Sequence, residues 1–280
     1  MSGTKLDPIV AAVRARSAAR RRNMTFERLE DHVKPDSWRR ERVLTALTKP
    51  ELAYICELKR RSPSAGPLLV EDGDGPRHGP SRRARIGPRW LSLAAAYKEG
   101  GAEMLSVLTE EDHFDGCLDD LRTVEFTRLP RLRKDFVVDE CMVLEGCSYG
   151  ADAVLLIAAI LDDPTLARLR ALAKEYGIAV LLEVHDEREL ERALPLEPEL
   201  IGVNARDLRT LQTDIGVVER LLPRVPKGVL RVAESGIRGT DDLKRVRAAG
   251  ADVVLVGETL VKSADPAATL RAWKEALRGH

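Results

Sequence analysis

Eight short apolar runs alternate with helical stretches along this 280-residue chain, and that alternation constrains the fold more than any other feature. The runs are LAYICELK (52–59), MLSVLT (104–109), RLRKDFVV (131–138), AVLLIA (153–158), AVLLEVH (179–185), LIGVNAR (200–206), VLRVAES (229–235) and VVLVGE (253–258). Segments such as LSLAAAYKEGG, PTLARLRALAKEYG, DERELERALP, IGVVERLLPRV and TDDLKRVRAAG lie between them. Several end in glycine, as helices commonly do. After the second run the spacing is roughly 20 to 30 residues, the size of one β-α unit. Runs that are apolar at nearly every position suit parallel strands covered on both faces. Eight such units in about 230 residues predict a single α/β domain, a (β/α)8 TIM barrel. The barrel is expected over residues 51–280, with extra N-terminal helices in residues 1–50. No GxGxxG follows the first run, which counts against an open dinucleotide-binding sheet.

In this fold the chemistry sits at the C-terminal ends of the strands. Strand residues at i and i+2 share a face, so Glu57 with Lys59, and Asn204 with Arg206, can point into one mouth. Glu183 and Glu234 end two more runs, and Lys134 lies on the third. A solvent-facing strand end explains any one of these charges. Three carboxylates and three cations at one end of five strands are better explained as a site whose groups tune one another. Small-residue turns, Ser235-Gly236-Ile237 and Gly257-Glu258-Thr259, follow the last two runs. Loops there often hold phosphate in barrels of this kind, helped by close backbone approach and helix dipoles. Ser62 and Lys59 on the first loop can reach the same anion. His185 shares the face of Glu183 and is read as structural rather than catalytic.

Lys+Arg and Asp+Glu balance at 45 each, which argues against a nucleic-acid or anionic-membrane partner. No window reaches the length of a membrane span. The Arg-rich, acid-poor start admits a transit peptide, but Ile9, Val10 and Val13 on one side, with Arg14, Arg16 and Arg20 elsewhere, favour a plain amphipathic helix. Cys56, Cys117, Cys141 and Cys147 form no CxxC pair and read as reduced thiols of a cytoplasmic protein. The five histidines show no metal-binding spacing, so no metal is expected.

The ordered motifs ELKRRSPSAG, SVLTE with FDG after it, LRKDFVVDE, GADAVLLIAAIL, LLEVHDEREL, IGVNARDL, VAESGI and LVGETLV resemble those of the indole-3-glycerol phosphate synthases of tryptophan biosynthesis. The resemblance spans about residues 6 to 276. It implies a lyase that decarboxylates and dehydrates 1-(2-carboxyphenylamino)-1-deoxyribulose 5-phosphate to indole-3-glycerol phosphate. It implies no cofactor, and a monomer or at most a weak dimer is expected. By the resemblance, Lys134 is the general acid of ring closure, with Glu183, Glu57 and Lys59 as further acid/base groups. Asn204, Arg206, Glu234 and Ser235 would hold the substrate, and Leu108, Phe114 and Phe136 would wall its aromatic ring. Ser62, Lys59, Gly236, Gly257 and Thr259 would hold the phosphate. A phosphoribosylanthranilate isomerase-like barrel would need a Cys/Asp pair where this chain has Glu57 and Lys59. A non-catalytic scaffold copy would have no need of six charges at one mouth.

Two departures stand out. Strand six carries Asn-Ala-Arg where the family usually has Asn-Asn-Arg, and Ala205 should face away from the mouth. The stretch after SPSAG, PLLVEDGDGPRHGPSRRARIGPRW, is longer than the family's link and rich in Gly, Pro and Arg. Its composition predicts a long mobile loop at about 67–90 without a helix of its own. It is either a tolerated surface insertion or a segment whose Arg77, Arg82, Arg83, Arg85 or Arg89 meets an anionic substrate or a partner protein. Deleting residues 73 to 84 separates these readings: kcat/KM is unchanged under the first, which is the expected outcome, and falls under the second.

Overall fold

The computed structural model describes residues 6–69 and 87–278. Its principal strands are β1 (Ala53–Leu58), β2 (Met104–Leu108), β3 (Arg131–Lys134), β4 (Ala153–Ile157), β5 (Ala179–Val184), β6 (Leu200–Asn204), β7 (Leu230–Glu234) and β8 (Val253–Val256). Each pairs in parallel with its neighbours, and β8 returns to β1 to close the barrel. Every expected run is present, although the paired strands are shorter than the apolar runs. RLRKDFVV leaves the ladder after Lys134 because Asp135 turns to other partners. Its carboxylate accepts the Phe136 N–H at 2.9 Å and the Thr109 hydroxyl at 2.6 Å.

Three helices precede β1: α1 (Leu6–Arg21), α2 (Phe26–His32) and α3 (Trp38–Leu47). The others are α4 (Pro88–Glu99), α5 (Asp119–Thr123), α6 (Glu140–Ser148), α7 (Asp163–Glu175), α8 (Glu187–Ala193), α9 (Ile215–Leu221), α10 (Thr240–Ala248), α11 (Glu258–Val261) and α12 (Pro266–Ala276). Aspartate side chains at 139, 162, 186, 214 and 265 cap α6, α7, α8, α9 and α12 by accepting first-turn amides. The expected loop at 67–90 is corrected at both ends. Gly66–Pro67 pairs with Arg61–Ser62 in a small antiparallel ladder, and Pro88 opens α4, so Arg89 is helical. Proline suits that first helical position, where its missing N–H costs nothing. Arg77, Arg82, Arg83 and Arg85 lie outside the described residues.

At the N-terminal end of the barrel an acid precedes each even-numbered strand: Glu103, Asp152, Glu199 and Asp252. Each accepts a backbone N–H from the start of the preceding odd-numbered strand: Tyr54 at 2.8 Å, Arg131 at 2.8 Å, Val180 at 3.2 Å and Arg231 at 3.0 Å. Each is also ion-paired, Glu103 with Lys49 and Lys274, Asp152 with Arg42, Glu199 with Arg40 and Arg170, and Asp252 with Arg231. The same clasp thus recurs four times around the barrel floor. It satisfies amides that strand pairing leaves open, at the end of the barrel away from the mouth.

The N-terminal helix is part of this body. Leu6, Ile9 and Val13 are buried. Arg16 donates to Glu110 at 2.9 Å and to Asp112, and Arg20 to Glu111, all on the loop after β2. All four cysteines are buried and free.

Glu199→Ala removes the acceptor of the Val180 amide and leaves Arg170 buried without its carboxylate. Urea unfolding should show a loss of about 3 to 5 kcal/mol, while kcat stays within twofold because the clasp is at the far end from the mouth.

Candidate active site

The C-terminal ends of the strands open into a cavity of about 840 Å³. Every residue expected at the site lines it, from Glu57 and Lys59 on the first strand's end to Gly257 and Thr259 after the last. Leu6, Pro8 and Ile9 of α1 line it too, as does Arg238 after β7.

Lys134 sits at the centre. Its ammonium is 3.2 Å from Glu183 Oε2 and 3.6 Å from Glu234 Oε2, and both carboxylates are only 1% exposed. Burial works against the charged form of Lys134; the charges of Glu183, Glu234 and Glu57 overcome that and hold its pKa above the usual lysine value. The two carboxylates diverge. Burial works against ionisation of Glu183 as well, but Lys134, His185 and the Asn204 amide outweigh it, and its pKa lies well below the ordinary value. Glu234 is pushed up to about 8 by burial first and by the charge of Glu183 second. Neither Glu234 oxygen has a hydrogen-bond donor among the described residues. The pair therefore holds one negative charge and one proton at neutral pH.

Gly202 makes this approach possible. It neighbours Glu183 in the β5–β6 register, and a Cβ there would collide with the Glu234 carboxylate. Its role was readable only from the rule that glycine inside a strand marks a close approach.

Across the mouth Lys59 donates to Glu57 at 2.6 Å. Both lie against Gly257: a Cβ at that position would be 2.5 Å from Glu57 Oε1 and 3.1 Å from Lys59 Nζ. The first-strand pair therefore reaches the loop after β8. Thr259 ties that loop to the one after β7 by donating to the Ile237 carbonyl at 2.7 Å. Ser235 and Gly236 both have left-handed backbone, at φ 66° and 80°, so a non-glycine residue carries strain at this turn. Ser62 lines the cavity, but its hydroxyl also accepts the Ala65 amide at 3.1 Å and so shapes its own turn. Glu258 accepts from Lys262 at 2.6 Å and lies 3.8 Å from Arg206.

On the apolar side Phe114 and Phe136 stand with ring centroids 6.3 Å apart and tilted by 44°, with Leu108 beside them in the lining. Asn204 accepts the Arg206 N–H at 3.0 Å, which fixes the bend where the chain leaves β6. Ala205 is buried against the loop after β7, near Gly236, not offered to the mouth by its neighbours' contacts. His185 is within 3.3 Å of Glu183. Among the described residues no cluster of His, Cys, Asp and Glu is suited to a metal ion.

The model of the family "Indole-3-glycerol phosphate synthase" matches residues 6–273. A synthase of that name from Mycolicibacterium smegmatis is 44% identical over 268 residues, covering 95% of this chain and 92% of the relative. One from a Parafrankia strain is 44% identical over 264 residues, covering 93% and 91%. Among solved structures, 3-hexulose-6-phosphate synthase from Salmonella typhimurium aligns with a TM-score of 0.61 at 15% identity, over 81% of this chain and 98% of that one. Orotidine 5'-phosphate decarboxylase from Pyrococcus horikoshii aligns with a TM-score of 0.56 at 19% identity, over 71% and 98%. Those two likenesses concern the barrel alone. The match along nearly the whole chain and the identity to curated relatives go further: the chain belongs to the indole-3-glycerol phosphate synthase family.

Proposed function

We propose that the cavity performs the family's reaction, ring closure of 1-(2-carboxyphenylamino)-1-deoxyribulose 5-phosphate to indole-3-glycerol phosphate with loss of carbon dioxide and water, through the following division of labour. The observation that carries it is Lys134, a half-buried cation between Glu183 and Glu234 in a cavity with an aromatic wall.

The aromatic carbon that bears the carboxylate attacks the ribulose carbonyl, and negative charge grows on the carbonyl oxygen. Lys134 donates its proton there and becomes neutral. Carbon dioxide then leaves, and the bonding electrons restore the aromatic ring. The hydroxyl formed in the first step departs as water with a proton from Lys59, and Glu57 takes the ring C–H proton that completes the indole. Glu183 holds the Lys134 ammonium in place and favours its reprotonation. Positioned proton transfer of this kind is typically worth 10²–10⁴ in rate, and folding the flexible substrate onto itself adds an orientation gain.

Phe114, Phe136 and Leu108 fit the anilino ring. Asn204, Arg206 and the protonated Glu234 are placed to hold its carboxylate and the ribulose hydroxyls. Ser235, Gly236, Gly257, Thr259, Ser62 and Lys59 form the phosphate end. The substrate is thus a phosphorylated small molecule with an aromatic carboxylate at one end, a phosphate at the other and a polar ribulose chain between them. No helix among the described residues is long and apolar enough to cross a membrane, which is compatible with a cytoplasmic enzyme of amino-acid biosynthesis.

Supplying the anilino-ribulose phosphate and following indole fluorescence tests the reading, and absence of product from folded protein would sink it. Lys134→Ala should lower kcat by at least about 10²-fold with KM within a few-fold; near-normal kcat refutes the assigned role. Glu234 yields a stability prediction. Folded, it keeps its proton up to about pH 8; unfolded, it loses it near 4.5, so folding takes up a proton in that window and wild-type stability falls as pH rises through it. Glu234→Gln has no proton to take up. Its gain in Tm over the wild type should be small below pH 4.5 and grow to a plateau above pH 8.

A further inference from the structure

His185 follows the last residue of β5 and is mostly buried, with 11% of its side chain exposed. One ring nitrogen, Nε2, lies 3.3 Å from Glu183 Oε1. The other, Nδ1, lies 3.0 Å from Glu189 Oε2 on α8, and the same oxygen accepts the His185 backbone N–H at 2.8 Å. Glu189 is itself fixed, because Asp186 caps α8 by accepting the Glu189 amide at 2.8 Å. Nδ1 has hydrogen-bond geometry to Glu189, while Nε2 meets Glu183 as an ion-pair contact without it; a carboxylate beside each nitrogen favours the doubly protonated cation.

This contact supplies an asymmetry that the mouth otherwise lacks. Glu183 and Glu234 are equally buried and share one ammonium, Lys134. Two like carboxylates in such a place compete for a single proton. Glu183 has a second cation at its other oxygen, and Glu234 has none among the described residues. We propose that His185, anchored by Glu189, is a positioning residue for ring closure: its imidazolium holds Oε1 of Glu183, which keeps that carboxylate ionised with Oε2 on Lys134 and leaves the shared proton on Glu234. The inference rests on the assignment of Lys134 and Glu183 to proton transfer.

The groups facing Glu183 are Lys134 from β3, Asn204 from β6, Glu234 from β7 and His185 from its own strand end, with Glu57 of β1 acting on the far side of Lys134; β4 presents the apolar Ile157. His185 is faced by Glu183 and Glu189. Burial alone would depress the imidazole, but those two carboxylates raise it to about 10, in line with the geometry.

Two measurements test this. In the wild type, NMR titration of the imidazole nitrogens should find His185 still doubly protonated at pH 8. This readout does not depend on turnover, so it stands even if the proposed reaction fails. In His185→Gln, the acid limb of the kcat profile should move up by about one unit, so that kcat on that limb falls about tenfold with KM within twofold, since one lost charge contact is worth about one pKa unit. Glu189→Gln, which leaves the imidazole in place, should move the limb in the same direction. A neutral His185 at pH 7, a His185→Gln profile that superimposes on the wild type, or a fall in kcat with the limb unmoved overturns the proposal.

Discussion

Closure of a parallel barrel sends all eight strands out in one direction, and the rest of this protein depends on how that single polarity is used. At the floor, four acids clasp the starts of the strands in alternating pairs. Each clasp satisfies an amide the ladder leaves open and matches its acid with a cation, so the charges there serve stability. At the mouth the charges are deliberately ill-matched. Two carboxylates flank one central ammonium with a third acting on it from further off, and Glu234 has no hydrogen-bond donor among the described residues. An unpartnered buried acid is costly to folding, and it is retained where proton chemistry needs a group poised near neutrality.

That division explains details which otherwise look unrelated. Gly202 lies inside a strand, where glycine weakens packing, because the Glu234 carboxylate takes the space a side chain would fill. Gly257 admits Glu57 and Lys59 against its backbone for the same reason. In both places the sheet gives up side-chain packing so that a charged group can converge on the mouth.

The barrel was legible in the sequence because period and apolarity are local signals: eight runs, each bounded by helical stretches. Strand ends were less so. An apolar run does not reveal where hydrogen bonding stops, and Val137 and Val138 are buried in the core although they lie outside the β3 ladder. The mouth was legible from i, i+2 spacing and from motif resemblance, and every expected residue lines the cavity. What the sequence withheld were contacts between distant segments. Nothing local to Arg16 or Arg20 says that they grip an acidic loop some ninety residues away. Nothing local to Gly202 says which carboxylate it makes room for. The loop after SPSAG was legible as an insertion, but Pro88 had to be read as the start of a helix to find its end.

The N-terminal helix carries this reasoning one step further. Its basic face resembles the composition of a targeting peptide, yet the same arginines grip Glu110, Glu111 and Asp112. Glu110 also accepts the amides of Asp112, His113 and Phe114, at 3.1, 2.7 and 3.2 Å, so one buried carboxylate both anchors the helix and shapes the loop that presents Phe114. The same face of the helix, nearer its start, places Leu6 and Ile9 in the cavity wall. One face of α1 therefore does two things: its arginines fix the loop that presents Phe114, and its apolar residues nearer the start line the cavity. The helix precedes the barrel in the chain, but physically it is part of the mouth.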